Sequence, residues 1–224
     1  MSKTILAIDT ATEAFSVALQ CNDECREVFA IAPREHATRL LPTVHQLLAE
    51  AQIGVGQLDA LVVTRGPGSF TGVRIGIAAA QGLALGTDLG LIAVSTLQAL
   101  AMEGHKRTGC ERILPLLDAR MEQVYTAQYD FSQSGGVLVQ EERVCDPQRV
   151  IDGVTVETQA MVLVGPGAAA YREVFDQDFD SSVVDTISDC YPHAAHCIEI
   201  AQLQSLTPVA ADAIEPAYLR AAVR

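Results

Sequence analysis

Tryptophan is absent from this 224-residue sequence, and aromatic residues make up only 5% of it. The core it can build is one of closely packed small aliphatics rather than stacked rings. Positive charge is scarce as well: 15 Lys and Arg stand against 28 Asp and Glu, a formal charge of −13. A protein that grips nucleic acid by itself displaces phosphate counterions with a basic face, so tight RNA or DNA binding is disfavoured without a basic partner. Anionic membrane surfaces are disfavoured for the same reason. No run reaches the roughly 18 apolar residues of a membrane span. The first apolar run, Ile5 to Ile8, is closed by Asp9 and is too short for a signal-peptide core. Cysteines are scattered at 21, 25, 110, 145, 190 and 197, which reads as reduced thiols in a cytoplasmic protein rather than a disulfide framework. What is present, 49% apolar against 19% charged residues, excludes a disordered chain and is ample for a large core.

An internal duplication organises the chain. Leu6-Ala7-Ile8-Asp9 ends a strand and leads through Thr10-Ala11-Thr12-Glu13 into Phe15-Ser16-Val17-Ala18-Leu19. Pro115-Leu116-Leu117-Asp118 does the same, leading through Ala119-Arg120-Met121-Glu122 into Val124-Tyr125-Thr126-Ala127, with Asp9 and Asp118 standing 109 positions apart. A second echo pairs Leu61-Val62-Val63-Thr64 before Gly66-Pro67-Gly68 with Met161-Val162-Leu163-Val164 before Gly165-Pro166-Gly167, at an offset of 99.

Periodicity and turn residues predict strands near 4–9, 13–20 and 24–31, a helix from His36 to about Gln52, a strand at 59–64, a helix at 71–86 and a strand at 91–94. Pro42 falls within the early turns of the first helix, where a missing N–H costs least. The second half predicts strands near 111–118, 122–131 and 137–144, a short helix after Pro147, a strand at 161–164, a helix from 168 and another after Pro192, before a tail from Ala213 to Arg220. Two βββαβα lobes follow, 1–105 and 106–224, with a cleft between them and the last segment crossing back to the N-terminal lobe. A single α/β domain with coincidental echoes is the alternative.

The strongest local signal is Arg65-Gly66-Pro67-Gly68-Ser69-Phe70-Thr71-Gly72-Val73-Arg74, where a strand turns into a helix capped by Ser69 or Thr71. Such a corner binds anions through free N–H groups, making Asp9, Thr10, Thr12, Gly66, Gly68 and Ser69 candidate nucleotide- or anion-binding residues. Equally, the glycines serve a tight turn and close helix packing. The run is neither a P-loop nor a dinucleotide fingerprint, because no Lys-Ser/Thr follows and the spacing is G-x-G-x-x-x-G. Within the helix, Gly72 and Gly76, Ala78 and Gly82, then Gly82 and Gly86 stand four apart, so something packs close to its backbone: the protein's own sheet or another subunit. Asp9 and Asp118 are candidates for holding a metal ion or a nucleotide's magnesium, or for simply capping turns. Cys190-x-x-His193-x-x-His196-Cys197 has zinc-ligand residue types, although structural zinc sites draw on two separated pairs. His36, His45 and His105 are isolated, and no nucleophile stands out with its base.

Taken together, Ile5-Leu6-Ala7-Ile8-Asp9-Thr10, the Gly66 to Gly76 run, Asp118-Ala119-Arg120 with Tyr125, and Pro216-Ala217-Tyr218-Leu219-Arg220 resemble the TsaB (YeaZ) family over nearly the whole chain. The resemblance implies the duplicated two-lobe actin/Hsp70/sugar-kinase-like fold (ASKHA, RNase H-like). It implies a role in bacterial tRNA modification, in which TsaB works with its paralogue TsaD and the ATPase TsaE to place threonylcarbamoyl on the adenosine beside the anticodon. In that scheme TsaD carries the chemistry with a metal held by His-x-x-x-His, ATP and metal belong to the partner subunits, and tRNA is met only through the complex. By that alignment Thr96 and Leu100 occupy the two ligand positions here, and neither replaces imidazole. The kinase-type Asp-x-Gly-Thr is Asp9-Thr10-Ala11-Thr12 here, without its glycine. The expectation is a pseudo-enzyme with no catalytic residue, metal or cofactor of its own. It would pair as a homodimer alone and as a heterodimer with TsaD through Leu41, His45, Arg74, Ile75, Ala78, Ala79 and Gly82, with Gly76, Ala79 and Gly82 admitting a partner helix closely. The rival readings are an active ATPase or small-molecule kinase of the same fold and, with no supporting nucleophile, a peptidase.

Overall fold

The computed structural model describes residues 3–150, 152, 160–178 and 183–220. Contacts divide the chain into two compact units, Met1–Ala99 with Pro192–Ala217, and Leu100–Tyr191 with Tyr218–Arg224. The boundary falls inside a helix rather than at 105/106, and the segment from Pro192 to Ala217 belongs with the first sheet.

The first unit contains β1 (Ile5–Asp9), β2 (Ala14–Cys21), β3 (Glu24–Ile31), α1 (His36–Glu50), β4 (Ala60–Thr64), α2 (Phe70–Thr87) and β5 (Leu91–Val94). Its sheet runs β3-β2-β1-β4-β5. The first three strands are antiparallel hairpin neighbours, whereas β4 and β5 run parallel to β1. Central β1 and β4 are buried over their full length, which is why they read as unbroken aliphatic runs rather than alternating ones. Edge strand β3 is polar and half exposed. Helix α1 lays Leu40, Val44, Leu47 and Leu48 into the core around Phe15. Pro42 stands in its second turn rather than its first. The carbonyl it leaves without an N–H partner is that of Thr38, and both residues are exposed.

The second unit repeats the order. After α3 (Thr96–Thr108) come β6 (Arg112–Arg120), β7 (Gln123–Asp130), β8 (Val137–Cys145), β9 (Met161–Val164), α4 (Pro166–Ala170), α5 (Arg172–Asp178) and β10 (Val183–Ile187). Its sheet runs β10-β9-β6-β7-β8, with β6, β7 and β8 antiparallel and β9 and β10 parallel to β6. This is the same arrangement as in the first unit, the duplicated actin/Hsp70/sugar-kinase-like fold. The helix expected after Pro147 is a single 3-10 turn, Pro147–Arg149. The helix expected from 168 starts at Pro166 and is interrupted at Tyr171. Helix α3 and strand β10 are additions to the elements expected from sequence. Helix α6 (Ala194–Leu203) then packs on β1 and β2 of the first sheet. Val209 exchanges backbone hydrogen bonds with Leu91, covering the edge of β5. No helix among the described residues is long and apolar enough to cross a membrane.

Candidate functional site

The corner between β1, β4 and α2 is where the strongest motif folds. Asp9 is fully buried at the end of β1. Thr64 donates its hydroxyl to Asp9 Oδ1 at 2.5 Å, and the Ala11 N–H approaches the same oxygen at 3.4 Å. Asp9 Oδ2 has no hydrogen-bond partner. Burial pushes the carboxyl up to about 7, against the lowering effect of the Thr64 and Ala11 bonds and of nearby His193. The turn after it is closed by its own groups: the Ala14 N–H donates to Thr12 Oγ1 at 3.1 Å, and the Thr10 hydroxyl donates to the Gly72 carbonyl at 2.7 Å.

Ser69 is the cap of α2, accepting from the Gly72 N–H at 3.2 Å, while its own N–H donates to the Ala11 carbonyl at 2.7 Å. The glycines of this helix and of the turn leading into it divide between two faces. A methyl group on Gly68 would sit 2.3 Å from the Ala11 carbonyl oxygen, and one on Gly72 would sit 2.1 Å from that of Thr10. On Gly76 it would lie 2.6 Å from Thr10 Oγ1. Gly76 therefore faces the protein's own sheet, and its expected role of admitting a partner helix is corrected. Gly82 and Gly86 have nothing within 4 Å. The second Gly-Pro-Gly behaves as the first does, since a methyl group on Gly167 would meet the Leu116 carbonyl carbon at 2.7 Å. Gly66 and Gly165 both take left-handed φ, +99° and +108°, which explains glycine at both first positions.

The outer face of α1 and α2 carries the residues proposed for docking. Leu41 is 47% exposed, His45, Ala78 and Gly82 are exposed, and Arg74 is half-buried. Ile75 and Ala79 are partly turned into the core. Sequence reasoning missed Leu85, 80% exposed, and Phe70, 70% exposed. Leu85 follows Ala78 and Gly82 at helical spacing, so that spacing was the available signal. Arg74 stacks its guanidinium over Phe70, 3.4 Å from the ring centre, and donates to the Phe70 carbonyl at 2.7 Å.

Elsewhere in the first unit the His193 and His196 pair serves packing. His193 Nδ1 lies 2.9 Å from Glu27 Oε2, and its ring stacks on Phe29. Ser16 Oγ donates to Glu27 Oε1 at 2.6 Å and accepts from the Ala194 N–H at 2.8 Å, and the Ala195 N–H donates to Glu27 at 3.1 Å. Glu27 thus anchors the start of α6, a role sequence reasoning did not find. Burial pushes the Cys197 thiol well up and that of Cys190 up to about 12. Among the described residues no three His, Cys, Asp or Glu side chains converge as metal ligands. Thr96 and Leu100 are both fully buried. In the second unit Asp118 accepts from the Arg120 N–H at 2.8 Å and pairs with its guanidinium at 3.0 Å.

Residues 28–222 match the family described as TsaD, tRNA N6-adenosine threonylcarbamoyltransferase. The tRNA threonylcarbamoyladenosine biosynthesis protein TsaB of Haemophilus influenzae is 37% identical, over 97% of this chain and 93% of its own length. The Escherichia coli protein of the same name is 40% identical, over 96% and 94%. The chain belongs to the TsaB family. Its backbone is also similar to that of YeaZ from Pseudomonas aeruginosa, with a TM-score of 0.87 at 34% identity, covering 97% of this chain and all of that one.

Proposed function

We propose that this chain is a non-catalytic subunit that takes part in threonylcarbamoyladenosine formation on tRNA by docking and activating TsaD, together with TsaE. ATP and metal chemistry then belong to those partners, the chain pairs with itself when alone, and tRNA is held by the assembly rather than by this acidic subunit. The observation that carries this reading is the contrast between the two faces of α2. Its inner face and first turn are packed against the strand-end carbonyls of Thr10 and Ala11. Carbonyl oxygens there repel phosphate, and the Ser69 and Gly72 N–H groups are already used, so the corner makes a poor nucleotide cradle. Its outer face is an exposed stripe of Ala78, Gly82 and Leu85, and α1 exposes Leu41. A stripe of small and apolar residues left in water fits a helix-on-helix contact.

The test is reconstitution. TsaD, TsaE, unmodified tRNA, ATP and threonylcarbamoyl-adenylate are combined with and without this chain, and modified adenosine is counted over several turnovers. Dependence on the chain, which alone turns over no ATP, supports the reading. Equal modification without it sinks the assignment, and magnesium-dependent ATP turnover lost in Asp9→Ala would favour an active enzyme instead. Gly82→Leu is expected to abolish pairing while leaving a folded monomer.

A further inference from the structure

Four buried side-chain atoms of the second unit have no hydrogen-bond partner: Thr126 Oγ1, both amide atoms of Gln128, and Arg143 Nε. They belong to one place. Thr126 stands opposite Arg143 and Gln128 opposite Gln140 in the β7–β8 ladder, and Thr126 and Gln128, two apart on one strand, share a sheet face. Segment 147–152 crosses that face. Arg143 Nη2 donates to the Arg149 and Val150 carbonyls at 3.0 and 2.8 Å, and Gln140 Nε2 donates to that of Asp152 at 2.8 Å. Thr126 and Gln128 are 1% and 0% exposed. A buried polar atom left bare costs more than a typical hydrogen bond returns, so four together call for something that meets them.

Arg143 also lines a cavity of about 190 Å³, together with Gln123, Cys145, Asp146 and Arg149. That is roughly six times the volume of one liquid water. Its walls carry both signs of charge. Arg149 is paired with Asp152 at 2.9 Å. Arg143 is half-buried, and no carboxylate among the described residues pairs with it. Asp146 spends one oxygen on the Gln123 amide at 3.2 Å, and no cation among the described residues pairs with it either. One guanidinium and one carboxylate therefore meet the same cavity without an ion-pair partner.

We propose that this cavity binds a small zwitterionic amino acid, its carboxylate on Arg143 and Thr126, its ammonium on Asp146 and its polar side chain on Gln128. The Arg143 Nε–H and the Thr126 hydroxyl are unspent donors, the kind a carboxylate accepts from. Gln128 has donor and acceptor both unspent, which matches a hydroxyl. A few convergent polar groups at a concave site are how small ligands are oriented. Water would meet the bare atoms but carries no charge for Arg143 and Asp146. Phosphate is the poorer anion, because Asp146 on the same wall repels it. Binding here needs no partner subunit, so it stands or falls separately from the docking role.

The experiment titrates L-serine into the full-length, isotopically labelled chain and follows its amide resonances. Saturable shifts are expected within 123–128 and 143–149. N-acetyl-L-serine, which lacks the ammonium, and L-serinamide, which lacks the carboxylate, are each expected to bind at least tenfold more weakly. Asp146→Asn and Arg143→Lys should weaken L-serine by at least tenfold in chains whose remaining spectrum is unchanged. Gln128→Met, which keeps the bulk and removes both bare atoms, should weaken it similarly while raising Tm by about 2 °C. No saturable shift with L-serine overturns the proposal. Equal binding of either blocked analogue, or tighter binding of inorganic phosphate, overturns the zwitterion. Unchanged affinity in the Arg143 and Asp146 variants overturns the site, and a lower Tm in Gln128→Met shows its amide satisfied within the fold and overturns its part.

Discussion

Thr64 and Asp9 join the ends of β4 and β1 by one short hydrogen bond, 2.5 Å from hydroxyl to Oδ1. It is a main compensation for a carboxyl group that is wholly buried and whose second oxygen has no partner. The duplication places Asp118 at the equivalent strand end, but there the carboxylate is partly exposed and paired with Arg120. Equivalent positions in the two halves have thus taken different electrostatic roles.

The first prediction follows from Asp9. Its folded pKa, about 7, lies above the ordinary value of 3.8 because burial disfavours the charge. The folded state therefore holds a proton that the unfolded state releases, so stability is full below the unfolded pKa and falls as pH rises towards 7. Asp9→Asn keeps an oxygen for Thr64 and removes the titration. Between pH 5 and 8 its stability relative to wild type should rise by roughly 2–3 kcal/mol. Urea unfolding across that range is the check, and a difference independent of pH refutes the account.

Much of this was legible beforehand. The buried strands β1, β4, β6 and β9 announce themselves as short aliphatic runs, and the two Gly-Pro-Gly turns mark the same corner twice. Helix α3 was not, because Leu97, Ala99, Leu100, Ala101 and Met102 are all buried; a helix covered on several sides has no single apolar stripe to detect. Strand β10 hides its pattern behind Asp185 and Thr186. The glycines of α2 could not be sorted into inner and outer faces, since that depends on where the Thr10 and Ala11 carbonyls point. Nor could Glu27 be told from other strand charges when its partner His193 lies 166 residues away.

The second prediction sorts those glycines by energy. Gly72→Ala forces a methyl group against the Thr10 carbonyl oxygen, and backbone cannot yield cheaply, so a loss of about 3 kcal/mol or failure to fold is expected. Gly82→Ala meets nothing and should gain about 1 kcal/mol from helix propensity alone. Chemical denaturation of the two variants side by side decides the matter. Equal effects would contradict the division into faces.

The third concerns Glu27. Burial acts to raise its pKa, but hydrogen bonds from His193, Ser16 and the Ala195 N–H outweigh that and hold the carboxylate below its ordinary value. Its stabilisation is therefore present above the unfolded pKa and is lost as pH falls through the folded one. Glu27→Gln should cost about 2 kcal/mol at neutral pH and speed amide exchange at the start of α6, at Ala194 and Ala195. The cost should shrink towards pH 3. Unaltered exchange at those amides would show that Glu27 does not hold the helix.

The last prediction concerns Arg220 and the β6–β7 turn, where Arg120, Met121 and Glu122 take left-handed φ of 61°, 53° and 58°. Arg220 reaches the Ala119 carbonyl, Gln123 Oε1 and the Met121 sulfur from one guanidinium, a geometry that a lysine ammonium, with a single nitrogen, cannot reproduce. Arg220→Ala and Arg220→Lys should therefore behave alike: about 1–2 kcal/mol of stability lost and faster amide exchange confined to the β6–β7 turn. The first unit should be unmoved, because the turn residues involved all belong to the second. Rescue by lysine would mean that positive charge alone matters near the turn. Slow exchange in both variants would mean that Asp118 and the strand pairing suffice, leaving Arg220 without a structural role there.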